Sequence, residues 1–306
     1  MAVTGRPAWV DDTLFPFESR FAEVNGNVVH YVDEGSGPIL LMLHSNPVWS
    51  FVYRDVITAL QDQFRCIAMD FPGFGLSTGA PDYRYHADEH AELLLSFLDH
   101  LNLTELTLVA HGWGGPLGLY AAEQRPGLFT KLVLTNTWAW PLNGDLFSEV
   151  ASRGMGNPLG RALMGQFNPL VNYFIPATHK RRKVTDTEMA HYRHTTSTSE
   201  QRRASATQPG DLVGARHFFV QLVEHIEPVS ELPTLIIWGD SDLIFTDKYR
   251  TRLEKTFPNH STTTLRRVGH YPMSDAPEEF ASTIRSWHPH TRTLDTPESL
   301  DVRDKF

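Results

Sequence analysis

The sequence predicts an α/β fold: a mostly parallel, doubly wound sheet of about eight strands with a helical cap inserted into it. Three observations carry that expectation. Short, uniformly apolar runs alternate with longer amphipathic stretches, and an alternating hairpin precedes them. The alternation then lapses once, between about Trp138 and His225.

The elements follow in chain order. Phe21 and Val24, then Val28, Val29 and Tyr31, flank the turn-forming Asn25-Gly26-Asn27, as in an antiparallel hairpin. Pro38 to Leu43 is too uniformly apolar for a sheet with one wet face and reads as a strand buried on both sides, which parallel sheets require. Further strands are expected at Cys66 to Asp70, Leu106 to Ala110, Lys131 to Leu134, Leu235 to Trp238 and Thr263 to Val268. Helices are expected over Trp49 to Leu60, Ala87 to Leu101 and Pro116 to Gln124. Residues 138–225 hold no strand run and repeat apolar residues at helical spacing amid glycine and proline, which predicts a helical cap after the sixth strand. The core is then 1–137 with 226–306, its tail mobile from about residue 288.

At 306 residues and 41% hydrophobic, the chain has material for one core plus an insertion. A formal charge of −9 argues against the broad electropositive surface of a nucleic-acid binder. The one basic run, His179-Lys180-Arg181-Arg182-Lys183, leads into Thr185-Asp186-Thr187-Glu188, a capping-box pattern, and is expected to be a solvated face ahead of a helix. Cys66 is the only cysteine, so no disulfide can form within the chain. The N-terminal residues lack the apolar core of a signal peptide and no apolar run reaches membrane-spanning length, so a cytoplasmic protein without membrane partners is expected. Nothing in the sequence speaks to oligomeric state.

The strongest chemical signal is Ala110-His111-Gly112-Trp113-Gly114, laid out as a nucleophile elbow, small-x-nucleophile-x-small, between an apolar strand and a helix opened by Gly115-Pro116-Leu117. Gly112 stands at the nucleophile position and has no side chain. Its partners follow in the chain order that α/β-hydrolases use. Leu235 to Trp238 runs into Gly239-Asp240-Ser241-Asp242, and the last strand delivers Gly269-His270-Tyr271-Pro272. In that order His270 is the base and Asp242 its acid; Asp242 is preferred to Asp240 on its spacing from Gly239, with Asp240 suited to capping the turn. The loop Leu43-His44-Ser45-Asn46-Pro47 is where one N–H of an oxyanion hole is expected, Trp113 supplying the second; a plain turn at Asn46-Pro47 is the less favoured alternative.

From about Phe15 to Trp287 the chain resembles the haloalkane dehalogenases. His44-Ser45-Asn46-Pro47 is similar to that family's His-Gly-Asn-Pro, and His111-Gly112-Trp113-Gly114-Gly115 to its His-Asp-Trp-Gly-Gly. Asp70-Phe71-Pro72-Gly73-Phe74-Gly75 is similar to the family's loop after the fourth strand. The resemblance implies an α/β-hydrolase fold in which an aspartate displaces the halide, an alkyl-enzyme ester forms and histidine-activated water hydrolyses it. It assigns Asn46 and Trp113 to the departing halide, His270 to the base and Asp242 to its acid. Asn136 stands where some relatives keep the acid, and an amide there favours Asp242. There are two departures. Ser45 replaces a glycine, which is expected only to adjust the turn, and Gly112 replaces the nucleophile. Losing one member of a cooperative catalytic set lowers the rate by about 10⁴ to 10⁶.

Four functional readings are therefore carried forward. The chain is a dehalogenase without its nucleophile; or an enzyme in which Gly112 leaves room for water or substrate beside an Asp242-His270 general-base pair; or, through cap tyrosines Tyr173 and Tyr192, an epoxide hydrolase relative; or a small-molecule binding protein. Its partner would be a small apolar or halogenated compound held by Trp138, Phe147, Phe167, Phe218, Leu243 and Phe245, each of which taken singly suits a core better than a ligand contact. No cofactor is called for. His86-Ala87-Asp88-Glu89-His90 matches an inverted zinc-protease motif but lacks a third ligand, so no metal is expected. Gly73-Phe74-Gly75 lacks the third glycine of a dinucleotide fingerprint.

Overall fold

The structure, a computed structural model, describes residues 5–198 and 201–290. Its eight strands are β1 Arg20–Val24, β2 Asn27–Glu34, β3 Ile39–Leu43, β4 Arg65–Met69, β5 Leu106–Gly112, β6 Phe129–Thr137, β7 Thr234–Gly239 and β8 His260–Leu265. They form one sheet in the order β1-β2-β4-β3-β5-β6-β7-β8, antiparallel at β1-β2 and β2-β4 and parallel from β4 onward. This is the α/β-hydrolase fold, and the crossing of β3 past β4 makes the sheet doubly wound.

The helices are α1 Arg54–Leu60, α2 Ala87–Leu101, α3 Gly114–Gln124, α4 Leu146–Gly156, α5 Pro158–Phe167, α6 Ile175–Thr178, α7 Asp186–His194, α8 Arg202–Gly214, α9 Arg216–His225, α10 Glu227–Ser230, α11 Asp247–Thr256, α12 Pro272–Asp275 and α13 Pro277–Trp287. Among the described residues, everything between β6 and β7 is helix or loop, α4 to α10. One apolar layer packs α2 and α3 on one face of the sheet through Leu94, Leu98 and Leu117. The other packs α1 and α13 on the opposite face through Val56, Ile57, Phe280 and Ile284. Burial on both faces explains why β3, Ile39–Leu43, reads as an unbroken apolar run.

The expected elements sit where the sequence indicated, with instructive shifts at their ends. The helix expected from Trp49 starts as a 3₁₀ turn, Ser50–Tyr53, before α1. The last strand was expected at Thr263 to Val268 and runs instead over His260–Leu265. It is an edge strand, paired only to β7 and largely solvated, so its polar His-Ser-Thr-Thr-Thr run carries no apolar signal. Of the tail expected to be mobile, residues 288–290 form a 3₁₀ turn, with His288 bound through its ring to Thr107 Oγ1 at 3.0 Å and through its carbonyl to Lys131 Nζ at 2.7 Å. The rest of that tail lies outside the described residues.

The basic run leads into α7 with Lys180, Arg181 and Lys183 exposed as expected, while its backbone is anchored. The backbone N–H groups of Lys180, Arg181 and Arg182 all donate to the Asp275 carboxylate, at 2.9, 2.9 and 3.1 Å. Arg182 also donates to Glu188, which pairs with the buried Arg54 as well. Thr185 and Glu188 make the capping box that opens α7. Charge in this segment thus serves to fasten α7 to α1 and α12.

Candidate active site

The parallel strands β3, β5, β6 and β7 end at one edge of the sheet, where open α/β sheets build their sites. Beyond β7, Asp242 is buried and its carboxylate is fully bonded. Oδ1 accepts from the Ile244 N–H at 2.8 Å, and Oδ2 accepts from Asn136 Nδ2 and from His270 Nδ1, each at 2.8 Å. Asn136, near the end of β6 with φ of +38°, also accepts from the Gly239 N–H at 2.9 Å. One amide therefore ties β6 to the acid's loop. Because the carboxylate only accepts, His270 Nδ1 donates in this pair, which fixes the orientation of the ring. Asp240 instead closes the neighbouring turn, accepting from the Arg267 N–H at 2.6 Å.

His270 is held from two further directions. Its N–H donates to Thr178 O at 3.0 Å, and its carbonyl accepts from His111 Nε2 at 2.7 Å. Burial, reinforced by the adjoining His270 ring, pushes the His111 pKa well down, so His111 stays neutral beneath the base. Its ring meets that of His270 at 4.8 Å between centroids.

At the elbow, Gly112 ends β5 with φ of +50°, a conformation that costs glycine little. Thr137 Oγ1 donates to its carbonyl at 2.6 Å. The Trp113 N–H, at the start of α3, donates to Ser45 Oγ at 3.1 Å. The loop bearing Ser45 is fixed by its own carbonyl, which accepts from His44 Nδ1 and from the Val48 N–H, both at 3.0 Å. His44 is itself anchored by the Phe71 N–H, which donates to Nε2 at 3.0 Å. A Cβ added to Gly112 would overlap Ser45 Oγ and lie 2.6 Å from Ser45 Cβ. The room expected above Gly112 is therefore taken by the Ser45 side chain, and Ser45 does more than adjust a turn.

Aromatic rings continue from the elbow to the base: Trp113 to Trp138 at 4.9 Å, Trp138 to Phe245 at 5.0 Å and Phe245 to His270 at 5.6 Å. Trp138 and Phe245 thus join the site. Phe218 lies one step out, its ring 5.3 Å from Phe219 and 5.4 Å from Tyr120. Phe147, Phe167 and Leu243 are 58%, 57% and 66% exposed and stand on the surface, because their helical and loop segments turn those positions outward. Asn46 faces the helical insertion: its Oδ1 accepts from Ser205 Oγ at 2.9 Å and its Nδ2 donates to Ser205 O at 3.1 Å, leaving one amide proton.

The two tyrosines do not pair. Tyr173 is exposed, whereas Tyr192 is buried with its ring 5.4 Å from Phe51. His86 precedes α2 and binds Asp211 at 2.9 Å, while His90, buried and pushed down to about 3, binds the Tyr83 hydroxyl at 2.9 Å. Among the described residues no group of three or more His, Cys, Asp or Glu side chains is arranged to hold a metal ion. No described helix is long and apolar enough to cross a membrane.

Sequence reasoning missed two participants. His111 carries no signal of its own beside the elbow. Ser45 does: it brings an oxygen-bearing side chain up to an elbow whose Gly112 has none.

Residues 38–277 match the family model described as alpha/beta hydrolase fold. The chain is 39% identical over 276 residues to "Haloalkane dehalogenase 2" of Mycobacterium tuberculosis, covering 90% of this chain and 96% of that protein. It is 33% identical over 300 residues to "Cis-3-alkyl-4-alkyloxetan-2-one decarboxylase" of Shewanella oneidensis, covering 93% and 92%. Among solved structures, a putative ancestral haloalkane dehalogenase superposes with a TM-score of 0.80 at 27% identity, covering 88% of this chain and 97% of that one. The chain belongs to the haloalkane dehalogenase family of the α/β-hydrolase superfamily.

Proposed function

We propose that this chain is a hydrolase of the haloalkane dehalogenase type in which the elbow no longer supplies a covalent nucleophile, and in which catalysis runs through Asp242 and His270 as a general-base pair. The observation that carries the reading is the 2.8 Å bond from His270 Nδ1 to a fully bonded Asp242, beside an elbow whose central residue is Gly112. Asp242 orients the ring and stabilises its protonated form, and Nε2 takes the proton of the attacking group. The Trp113 indole and the Asn46 amide supply N–H groups to a leaving halide or a developing oxyanion, the Trp113 backbone N–H being committed to Ser45 Oγ. Trp138 and Phe245 line the apolar side, and residues 138–225 act as a cap over a core made of 1–137 and 226–306. The substrate class is small and apolar. Halogenated compounds are substrates of the ancestral site, and their carbon–halogen bond is hydrolysed poorly without the elbow carboxylate.

Bromide release from short bromoalkanes tests this reading. The expected result is release slower than in a dehalogenase relative by about 10⁴-fold or more. Release at a relative's rate would overturn it.

A further inference from the structure

We propose that Ser45 and Gly112 form a reciprocal exchange and that the Ser45 hydroxyl is the nucleophile of this site, in a Ser45-His270-Asp242 relay that cleaves carboxylic esters through an acyl-serine. The proposal rests on the general-base reading above.

The first support is steric. An L-side chain at position 112 leaves the backbone toward the spot that Ser45 occupies, where a Cβ would overlap Oγ and come within 2.6 Å of Ser45 Cβ. Rotating the hydroxyl would not relieve the second contact. A side chain at 112 thus needs Ser45 to shift or to be replaced by a smaller residue. The oxygen lost from the elbow reappears on the loop facing it.

The second support is electronic. Ser45 is buried, and its Oγ accepts the Trp113 N–H at the start of α3. That hydrogen bond and the positive end of α3 both favour negative charge on Oγ. Among the described residues the hydroxyl donates to no acceptor, so its proton is free to leave toward a base. Gly112, against which Ser45 packs, stands between two residues whose rings lead to His270: His111 directly, and Trp113 by way of Trp138 and Phe245.

The third support is the donor set. The buried Trp138 Nε1 has no hydrogen-bond partner, and one Asn46 amide proton is uncommitted. A buried donor left unpaired is unusual in folded proteins and points to a group it serves. These donors suit a carbonyl oxygen that gains charge during attack.

The chemistry selects the substrate class. Attack by serine on a haloalkane would leave an ether, which histidine-activated water does not cleave. Attack on an ester is reversible by water. As the Ser45 Oγ–carbonyl carbon bond forms, the hydroxyl proton passes to His270 Nε2. The carbon–oxygen bond to the alcohol then breaks, and the alcohol departs with that proton. Water, losing a proton to His270, attacks the acyl-serine; the carboxylic acid is released and the proton returns to Oγ.

The test uses p-nitrophenyl acetate and butyrate in rapid-mixing assays, together with intact-mass analysis after treatment with a fluorophosphonate. The full chain should give a burst near one equivalent and a single adduct that maps to Ser45. Ser45→Ala should abolish both and lower ester turnover by about 100-fold or more, and Ser45→Gly should behave likewise. Absence of turnover and adduct in the unaltered chain would overturn the proposal. So would turnover that survives both Ser45 variants but is lost in His270→Ala, an outcome that leaves the general-base reading standing. Turnover that survives His270→Ala as well would remove both.

Discussion

On one side of the site, Asn136, Ile244, Asp242 and His270 make a continuous hydrogen-bonded ladder anchored in β6 and the loop after β7. On the other, the elbow ends in Gly112 with Ser45 laid over it. The two sides differ in how change can enter them. Every member of the ladder satisfies a polar group of another, so altering one strands the rest in a buried setting. The elbow is coupled by the shared volume of Ser45 and Gly112 and by one hydrogen bond, from the Trp113 N–H to Ser45 Oγ. A site built this way can keep the ladder while the elbow changes.

The comparison breaks first at His270, where both sides converge. His270→Ala should lower hydrolysis of any substrate by about 10⁴-fold, read as kcat/KM, because no nucleophile on either side is activated without it. If the residual activity were above a tenth of the original, the ladder would not be the working half of the site.

A pair remote from both sides should affect stability and leave chemistry alone. Glu188 and the buried Arg54 join α7 to α1. Burial tends to raise the Glu188 pKa, but hydrogen bonds from Arg182 and the Thr185 N–H, with the Arg54 charge, outweigh burial and hold it down to about 2. A carboxyl depressed on folding contributes stability above its ordinary range, and that contribution is lost as pH falls from about 4.5 toward 2. Glu188→Ala should cost about 3 kcal/mol in urea unfolding at pH 7, with the gap to the unaltered protein closing as the pH approaches 2. A gap that stays constant with pH would contradict the assignment.

Asn136→Leu sharpens the ladder itself. It removes the amide shared by Gly239 and Asp242, and should lower kcat by about 2 kcal/mol in activation terms, roughly 30-fold, while KM changes little. An unchanged kcat would mean that Asp242 needs no lateral support. The smallest effect is expected at Phe147→Ser: on the exposed side of α4, it should move stability by no more than about 0.5 kcal/mol and leave turnover intact.

Much of this was legible in the chain because buried parallel strands and backbone turns leave local marks. Residues 39–43 read as a strand from their apolar run, and the elbow from the small residues at 110 and 114. Asp242 and His270 followed from their positions just past strand ends. What stayed hidden depends on neighbours far away in the chain. The β8 boundary slipped because its polar edge strand is held by β7 and not by its own apolar pattern. Phe147, Phe167 and Leu243 have the composition of pocket residues, but their direction is set by how the helices and loops pack. The backbone anchoring of the basic run at 179–183 left no local mark because its acceptor, Asp275, lies more than 90 residues downstream. Ser45 and Gly112 are 67 residues apart, and only the closeness of the β3 loop to the β5 elbow turns two separate substitutions into one.

Bromide release from a short bromoalkane across four proteins measures that coupling: the unaltered chain, Ser45→Gly, Gly112→Asp and the double variant S45G/G112D. Release should stay at background for the first three and be clear, with an alkyl ester on the new carboxylate, only for the double variant. Release by Gly112→Asp alone at the rate of the double variant would contradict it, since an aspartate would then fit and work with Ser45 still in place.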